Sequence, residues 1–432
     1  MGLSFDEAYK KGNDALKAKR LDEAESCFEE ALKAKPNDIY TINKLALISK
    51  EKGNFSTAMN LLEQSLKLKQ EDLYTNYLLG NAYLEQGDIE KAIDALENTI
   101  RIDPKDKYAR NSLALAYRMR GDYDKCVETL QQALKNAPDD HYNKLSLATV
   151  RFELGEVSEA EHLCQEIIRK DPQNVTTLVL LGRICMESGD PDRGTGHLQK
   201  VLSIDAQNSE AHYYLGRIDL ERGDQKKADL HFTAAMGSSA DKLSISKNLG
   251  VIYMDKGLLD QAQAEFSRAI SMQPNDPFTL NNMGKLLVMR GKHAEGIEYL
   301  KKALVAQPDY AYAHYNLGKA YRDLKDFPHA IFHLFFALKH EPDDVYATNS
   351  LGRAFLEAGL HEKAKETFTL VVEQLDKNDP YAYWGLGETY EALDDREGAL
   401  AFYKRLKDVA SANDAKTWVE RADERIKKLK MG

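Results

Sequence analysis

Cysteine is scarce: four occur in 432 residues, Cys27, Cys126, Cys164 and Cys185, and no CxxC pair is among them. That excludes a disulfide framework and a thiolate zinc site, and leaves four free thiols packing as small hydrophobes. An excess of basic charge is also missing, because 69 Asp+Glu against 59 Lys+Arg give a formal net charge of -10. Such a chain repels polyanions at long range, so nucleic acid is not an expected partner. Nowhere do about 18 apolar residues run together, as a membrane span requires. The opening Met1-Gly2-Leu3-Ser4-Phe5-Asp6 has neither the basic stretch nor the apolar stretch of a signal peptide, and Asp6 stands where a myristoylation motif takes serine or threonine. The expectation is a soluble cytoplasmic protein with no direct membrane insertion.

Signatures of catalysis are missing as well. There is no Walker loop, no GxSxG elbow and no GxGxxG, and Gly194-Thr195-Gly196 follows no strand-like segment. His329 and His333 lie one helical turn apart with His340 nearby, but no cysteine or carboxylate joins them in a recognised metal spacing. The sequence therefore offers no catalytic residue, no metal site and no cofactor, and a non-enzymatic protein is expected.

What the chain does contain is a repeat. A small residue recurs at Gly12, Ala46, Gly80, Ala114, Ala148, Gly182, Gly216, Gly250, Gly284, Gly318, Gly352 and Gly387, at intervals of 34 residues and, for the last, 35. In the tenth unit Leu317, Gly318 and Tyr321 stand three or four residues apart, as do Ala330, Leu334 and Ala337, so each run draws one apolar stripe along a helix. Gly53-Asn54, Gly87-Asp88, Gly121-Asp122 and Gly223-Asp224 predict turns between the two helices. Pro36, Pro104, Pro138, Pro172, Pro274, Pro308 and Pro342 mark the breaks between units. Asp38, Asp106, Asp140, Asn174, Asp276 and Asp344 follow those prolines where a helix needs a cap. Beyond the twelfth unit, residues 414–432 place Trp418, Ala422, Ile426 and Leu429 on one stripe, predicting a capping helix that covers the last repeat.

Two features break the pattern. Arg151, Cys185 and Asp219 replace the tyrosine, and Gly194 and Gly196 sit inside a second helix, each at a cost of about 1 kcal/mol relative to alanine. With Gly237-Ser238-Ser239 close by, a softer segment is expected between Asp190 and Asp241. The corresponding division is repeats one to seven over residues 5–242, repeats eight to twelve over 243–413, and the capping helix over 414–432.

The leucine-glycine pair, the tyrosine, the alanine, the aromatic and the closing proline resemble the tetratricopeptide repeat family over nearly the whole chain. The resemblance implies an all-α, right-handed superhelical solenoid of twelve helix-turn-helix repeats, with a concave groove that holds other proteins. It also implies that positions two, six, nine and thirteen of each first helix line that groove, counting the small residue as position eight; these positions fall within about 60° of one another on the helical wheel.

Position six carries Asn248, Asn282 and Asn316 in succession, followed by Ser350. The row is similar to the asparagine ladder in the repeat domain of O-linked N-acetylglucosamine transferase, whose catalytic domain has no counterpart here. An amide both donates and accepts, so it can hold a peptide backbone whatever side chains the ligand carries; asparagine can equally support a neighbouring helix. Position nine carries Arg183, Arg217, Lys285, Lys319 and Arg353, suited either to an acidic segment or to pairing with Asp255, Asp323 and Glu357 one turn along. Position two is aromatic in Tyr40, Tyr74, Tyr108, Tyr142, Phe278, Tyr312, Tyr346 and Tyr381, and Trp384 beside Tyr381 and Tyr383 makes the last repeat the densest candidate anchor. A two-carboxylate clamp of the kind some family members use is not expected at the N-terminus: Gly12-Asn13 is present, but Tyr9 stands where lysine belongs and Lys44, Tyr74 and Leu78 fill the later positions.

Three functions fit these residues: an adaptor holding extended protein segments, a self-assembling scaffold and so a homo-oligomer, or a non-catalytic recognition subunit of a larger enzyme. The adaptor is the preferred expectation.

Overall fold

The computed structural model describes residues 3–413 and 415–431; Met1, Gly2, Asp414 and Gly432, and with them the myristoylation position and both ends of the expected capping segment, lie outside the described residues. Among the described residues every regular element is helical. Each repeat is a pair of helices, such as Ala311–Asp323 and Phe327–His340 in the tenth, and Lys416–Met431 follows the twelfth pair. Twelve helical hairpins and a terminal helix are thus present.

The predicted caps do what their chemistry suggests. Asp38 accepts from the Thr41 N–H, Asp106 from Tyr108 and Ala109, Asp140 from Tyr142, Asn174 from Thr177, Asp276 from Thr279, and Asp344 from Tyr346 and Ala347. Each thereby satisfies amides that the first turn leaves without an intrahelical partner. Between the two helices the chain reverses through a left-handed residue, with φ of 77° at Gly87 and 84° at Gly121, a conformation that glycine adopts without a Cβ clash.

The small residue at position eight marks where the paired helices touch. A Cβ on Gly318 would lie 2.5 Å from Leu334 Cγ, and one on Gly12 would lie 2.9 Å from Phe28 Cζ. In repeats three and four the tyrosine three residues on links to the preceding repeat: Tyr83 donates its hydroxyl hydrogen bond to Glu63 at 3.0 Å and Tyr117 to Glu97 at 2.6 Å. Burial, and then the Glu63 carboxylate, push the Tyr83 hydroxyl up to about 12. Where this tyrosine is replaced, Arg151 turns to Glu156 and to Glu159 at 3.4 Å, Asp219 approaches His231 at 3.7 Å, and Cys185 is simply buried.

The 35-residue interval has a local cause. The second helix of repeat eleven, His361–Leu370, runs on into a π-helical turn at Val371–Leu375, closed by the Asp376 N–H to the Val371 carbonyl at 2.7 Å. One extra residue is absorbed there without breaking the helix. The two interior glycines of repeat six also differ from each other. A Cβ on Gly194 would sit 2.9 Å from the Gly182 carbonyl oxygen, whereas nothing lies within 4 Å of one on Gly196. Gly194 is therefore a packing requirement as well as a helix defect.

The chain divides into two compact units, Met1–Ser239 and Ala240–Gly432. In the second, the terminal helix buries Ala422 and Ile426 and packs Trp418 and Leu429 against Tyr383, Tyr403 and Leu406. Arg425 and the Tyr403 hydroxyl both donate to Glu391, at 2.8 and 2.6 Å, which ties this helix to the last repeat.

Candidate functional site

The face of the first helices that the second helices leave uncovered is rich in aromatic surface. Tyr40, Tyr74, Tyr108, Tyr142, Tyr312, Tyr346 and Tyr381 each expose between 41% and 75% of their surface. Phe278 differs: it is half-buried, with the Lys247 ammonium 5.0 Å from its ring centre.

The three asparagines do not share one environment. Asn248 is exposed. Asn282 is buried and its amide donates to the Phe278 carbonyl one turn back, at 2.9 Å. Asn316 donates to the Asn281 side chain of the preceding repeat, also at 2.9 Å. Two of the three thus spend an N–H on the protein itself. At the N-terminus Asn13 donates to the Tyr9 carbonyl at 3.0 Å.

Position nine is likewise mixed. Arg183 pairs with Glu187 at 3.1 Å and Arg353 with Glu357 at 3.2 Å, in the intrahelical manner expected, and Arg353 also reaches Glu388 of the next repeat. Asp323 pairs instead with Arg322 at 3.2 Å. Lys285 and Lys319 have no carboxylate within 4.0 Å among the described residues, and the Lys319 ammonium lies 5.4 Å from the Tyr315 ring centre.

A cavity of about 450 Å³ opens in the second unit where repeats ten, eleven and twelve meet the terminal helix. Of the residues singled out from sequence it gathers Lys319, Arg353, Tyr346, Tyr381 and Trp384, while Asn248, Asn282, Asn316, Lys285 and Tyr312 do not line it. Its floor is the buried Phe368 ring and the Gly385 backbone, and a Cβ on Gly385 would lie 2.5 Å from Phe368 Cζ. Trp418 closes one side, 4.9 Å from Tyr381 and 6.0 Å from Trp384 between ring centres. Behind Asn349 lies Asp379, which accepts from the Ala382 N–H at 2.6 Å and the Asn349 amide at 3.0 Å; burial nonetheless pushes its carboxyl above the ordinary range.

Sequence reasoning missed Tyr315, Arg322, Asn349, Gly385, Trp418 and Arg421 as lining residues. Tyr315, Asn349 and Trp384 occupy position five and Arg322 position twelve, which at 100° per residue fall beside positions two and nine. A wheel drawn around positions two, five, nine and twelve would have found them. The same register recurs in the first unit, where Tyr77 and Asn81 line a cavity of about 270 Å³ and Val179 and Arg183 one of about 250 Å³.

Family comparisons agree with this architecture. Tetratricopeptide repeat models match residues 77–141 and 111–175, 248–276, 284–325 and 381–410, and a model described as anaphase-promoting complex, cyclosome, subunit 3 matches 17–99. No curated protein matches the chain significantly. Among solved structures, a tetratricopeptide repeat protein from Parabacteroides merdae is similar over 56% of this chain and 96% of its own, at 18% identity and a TM-score of 0.51, which is a likeness of fold. Yeast Tom70 aligns over 97% of this chain and 95% of its own at 15% identity and a TM-score of 0.49. MamA aligns over 40% and 94% at 24% identity and a TM-score of 0.36. Repeats of this kind generally serve as protein-interaction scaffolds, and the chain belongs to the tetratricopeptide repeat superfamily.

Proposed function

We propose that this protein is a non-enzymatic adaptor that binds extended segments of other proteins along the uncovered faces of its first helices. The observation that carries the reading is the exposure of a tyrosine at position two in seven repeats. Exposed tyrosines present large rigid contact area with a polar tip at little entropic cost, which is why they dominate binding surfaces. Cavities at positions five and nine of the same helices supply sites for the side chains of a bound segment.

Panning a random twelve-residue peptide display library against the full chain tests this. Selected peptides are expected to lose binding when Tyr108, Tyr142, Tyr312 and Tyr346 are changed to serine, and to keep it when Phe335, exposed on a second helix, is changed instead. Peptides that depend on Phe335 and ignore the tyrosines would overturn the reading.

A further inference from the structure

This inference deepens the adaptor reading and rests on it. We propose that the cavity between repeats ten to twelve and the terminal helix takes an acidic peptide segment carrying one bulky apolar side chain.

Lys319, Arg322, Arg353 and Arg421 line the cavity, and no carboxylate does. Three carboxylates pair with these cations from outside the lining: Asp323 and Glu357 with Arg322, and Glu357 and Glu388 with Arg353. At the lining itself the charge is therefore positive, in a chain whose net charge is -10, and the Asp379 carboxylate behind it is engaged by the Asn349 amide and the Ala382 N–H. Lys319 and Arg421 are the two without a carboxylate within 4.0 Å among the described residues, so they are the ones a ligand carboxylate completes.

Shape supplies the second half. Phe368 and the Gly385 backbone form an apolar floor, and Tyr315, Tyr346, Trp384 and Trp418 form aromatic walls. About 450 Å³ lies within the range of pockets that enclose a ligand group, roughly 300–1,000 Å³. A cationic ligand seated on the rings is disfavoured because two ring faces are already taken by the protein's own cations: Arg421 lies 5.1 Å from Trp418 and Lys319 lies 5.4 Å from Tyr315. An aromatic or large aliphatic side chain between acidic residues satisfies both the walls and the cations.

Fluorescence anisotropy with the full chain tests this, using a labelled peptide with one phenylalanine between glutamates. The comparison peptides carry alanine for the phenylalanine, lysines for the glutamates, or an amidated C-terminus. The acidic phenylalanine peptide is expected to bind at least tenfold more tightly than the alanine and lysine versions, and more weakly as salt rises. Lys319→Glu with Arg421→Glu is expected to weaken it at least tenfold, and Lys404→Glu, exposed on the second helix of repeat twelve and outside the cavity, to leave it unchanged. If the charge reversals alter the circular dichroism, Lys319→Gln with Arg421→Gln replaces them. Loss of binding on amidation assigns the carboxylate to the peptide terminus, and its retention assigns it to the side chains; both support the site. Equal binding of the lysine peptide, or indifference to Lys319 and Arg421, overturns the proposal. Should display selection still return peptides that depend on the position-two tyrosines, only the ligand class falls and the adaptor reading stands.

Discussion

The two glycines inside the second helix of repeat six, Pro191–Ile204, give a matched test of how this array is held together. Alanine at either position gains helix propensity of about 0.8–1 kcal/mol, by reducing the backbone freedom lost on folding. At Gly196 nothing lies within 4 Å of the added methyl, so Gly196→Ala should stabilise the repeat by about that amount. At Gly194 the methyl would sit 2.9 Å from the Gly182 carbonyl oxygen, with the Cys185 Cβ 3.5 Å away. A backbone oxygen cannot rotate aside, so the two helices must separate, and overpacking of this kind costs about 1–3 kcal/mol. Gly194→Ala should therefore come out neutral to about 2 kcal/mol destabilising, below Gly196→Ala by about 1–3 kcal/mol. Repeat arrays need not unfold as one unit, so the measurement is native-state hydrogen exchange of amides in repeat six, with urea midpoints of the whole chain beside it. Equal protection in the two variants would refute the reasoning, since it would mean that the Gly182 contact does not hold these helices at their observed separation.

Three further outcomes concern a second glycine contact and two titratable groups. Gly318→Ala places a methyl 2.5 Å from Leu334 Cγ and should destabilise the tenth repeat by about 1–3 kcal/mol, read as a lower urea midpoint. Burial works against the Asp276 carboxylate, but hydrogen bonds from Thr279 and Lys247 outweigh it and hold the group below the usual range. The resulting stability is present above about pH 4 and is lost as pH falls through the lower folded value. Asp276→Ala should cost about 1–2 kcal/mol at neutral pH and flatten the acid limb of a stability-against-pH curve. Burial, then His314, His329 and Lys301, push His333 down to about 4, so the unfolded chain takes up the proton first. That contribution to stability is lost as pH drops from about 6.5 to about 4, and His333→Gln should show a shallower decline in thermal midpoint over that interval.

The period, the caps and the turns were legible because each depends on neighbours within one repeat: Asp38 needs only the Thr41 amide, and Gly87 only its own turn. The tyrosines at position two were legible as candidates, though not their exposure, because a helical wheel gives a direction and not what stands in that direction. The asparagine row shows the limit of such patterns. Asn248, Asn282 and Asn316 are equivalent in register, yet Phe278 and Asn281 claim the amides of the last two, and that competition depends on side chains outside the row. Gly194 read as a defect because its partner, the Gly182 carbonyl, belongs to the other helix of the hairpin. Trp418 was legible as a packing residue of the cap, while its second role as a cavity wall depends on how the terminal helix crosses repeat twelve.

The cavity lies where the array departs from its own repeat, and there is a physical reason for that. A regular solenoid presents the same register at every step, so consensus positions alone give a uniform track with little means of selecting one ligand group over another. Between repeats ten and twelve four departures coincide. The π-helical turn at Val371–Leu375 takes up an additional residue before the twelfth repeat, Gly385 replaces the asparagine or serine that repeats eight to eleven carry at position six, Trp384 enlarges position five, and the non-repeating helix Lys416–Met431 brings Trp418 and Arg421. The terminal helix must cover the apolar end of the stack in any case. By packing Trp418 against Trp384 and Tyr381 it covers the end of the core and also adds a wall to the cavity. Stability of the end and selectivity of the site consequently depend on the same side chain: Trp418→Ala should weaken both, whereas Arg421→Glu, on an exposed residue of the same helix, should separate them by reducing ligand binding while the end of the stack stays sealed.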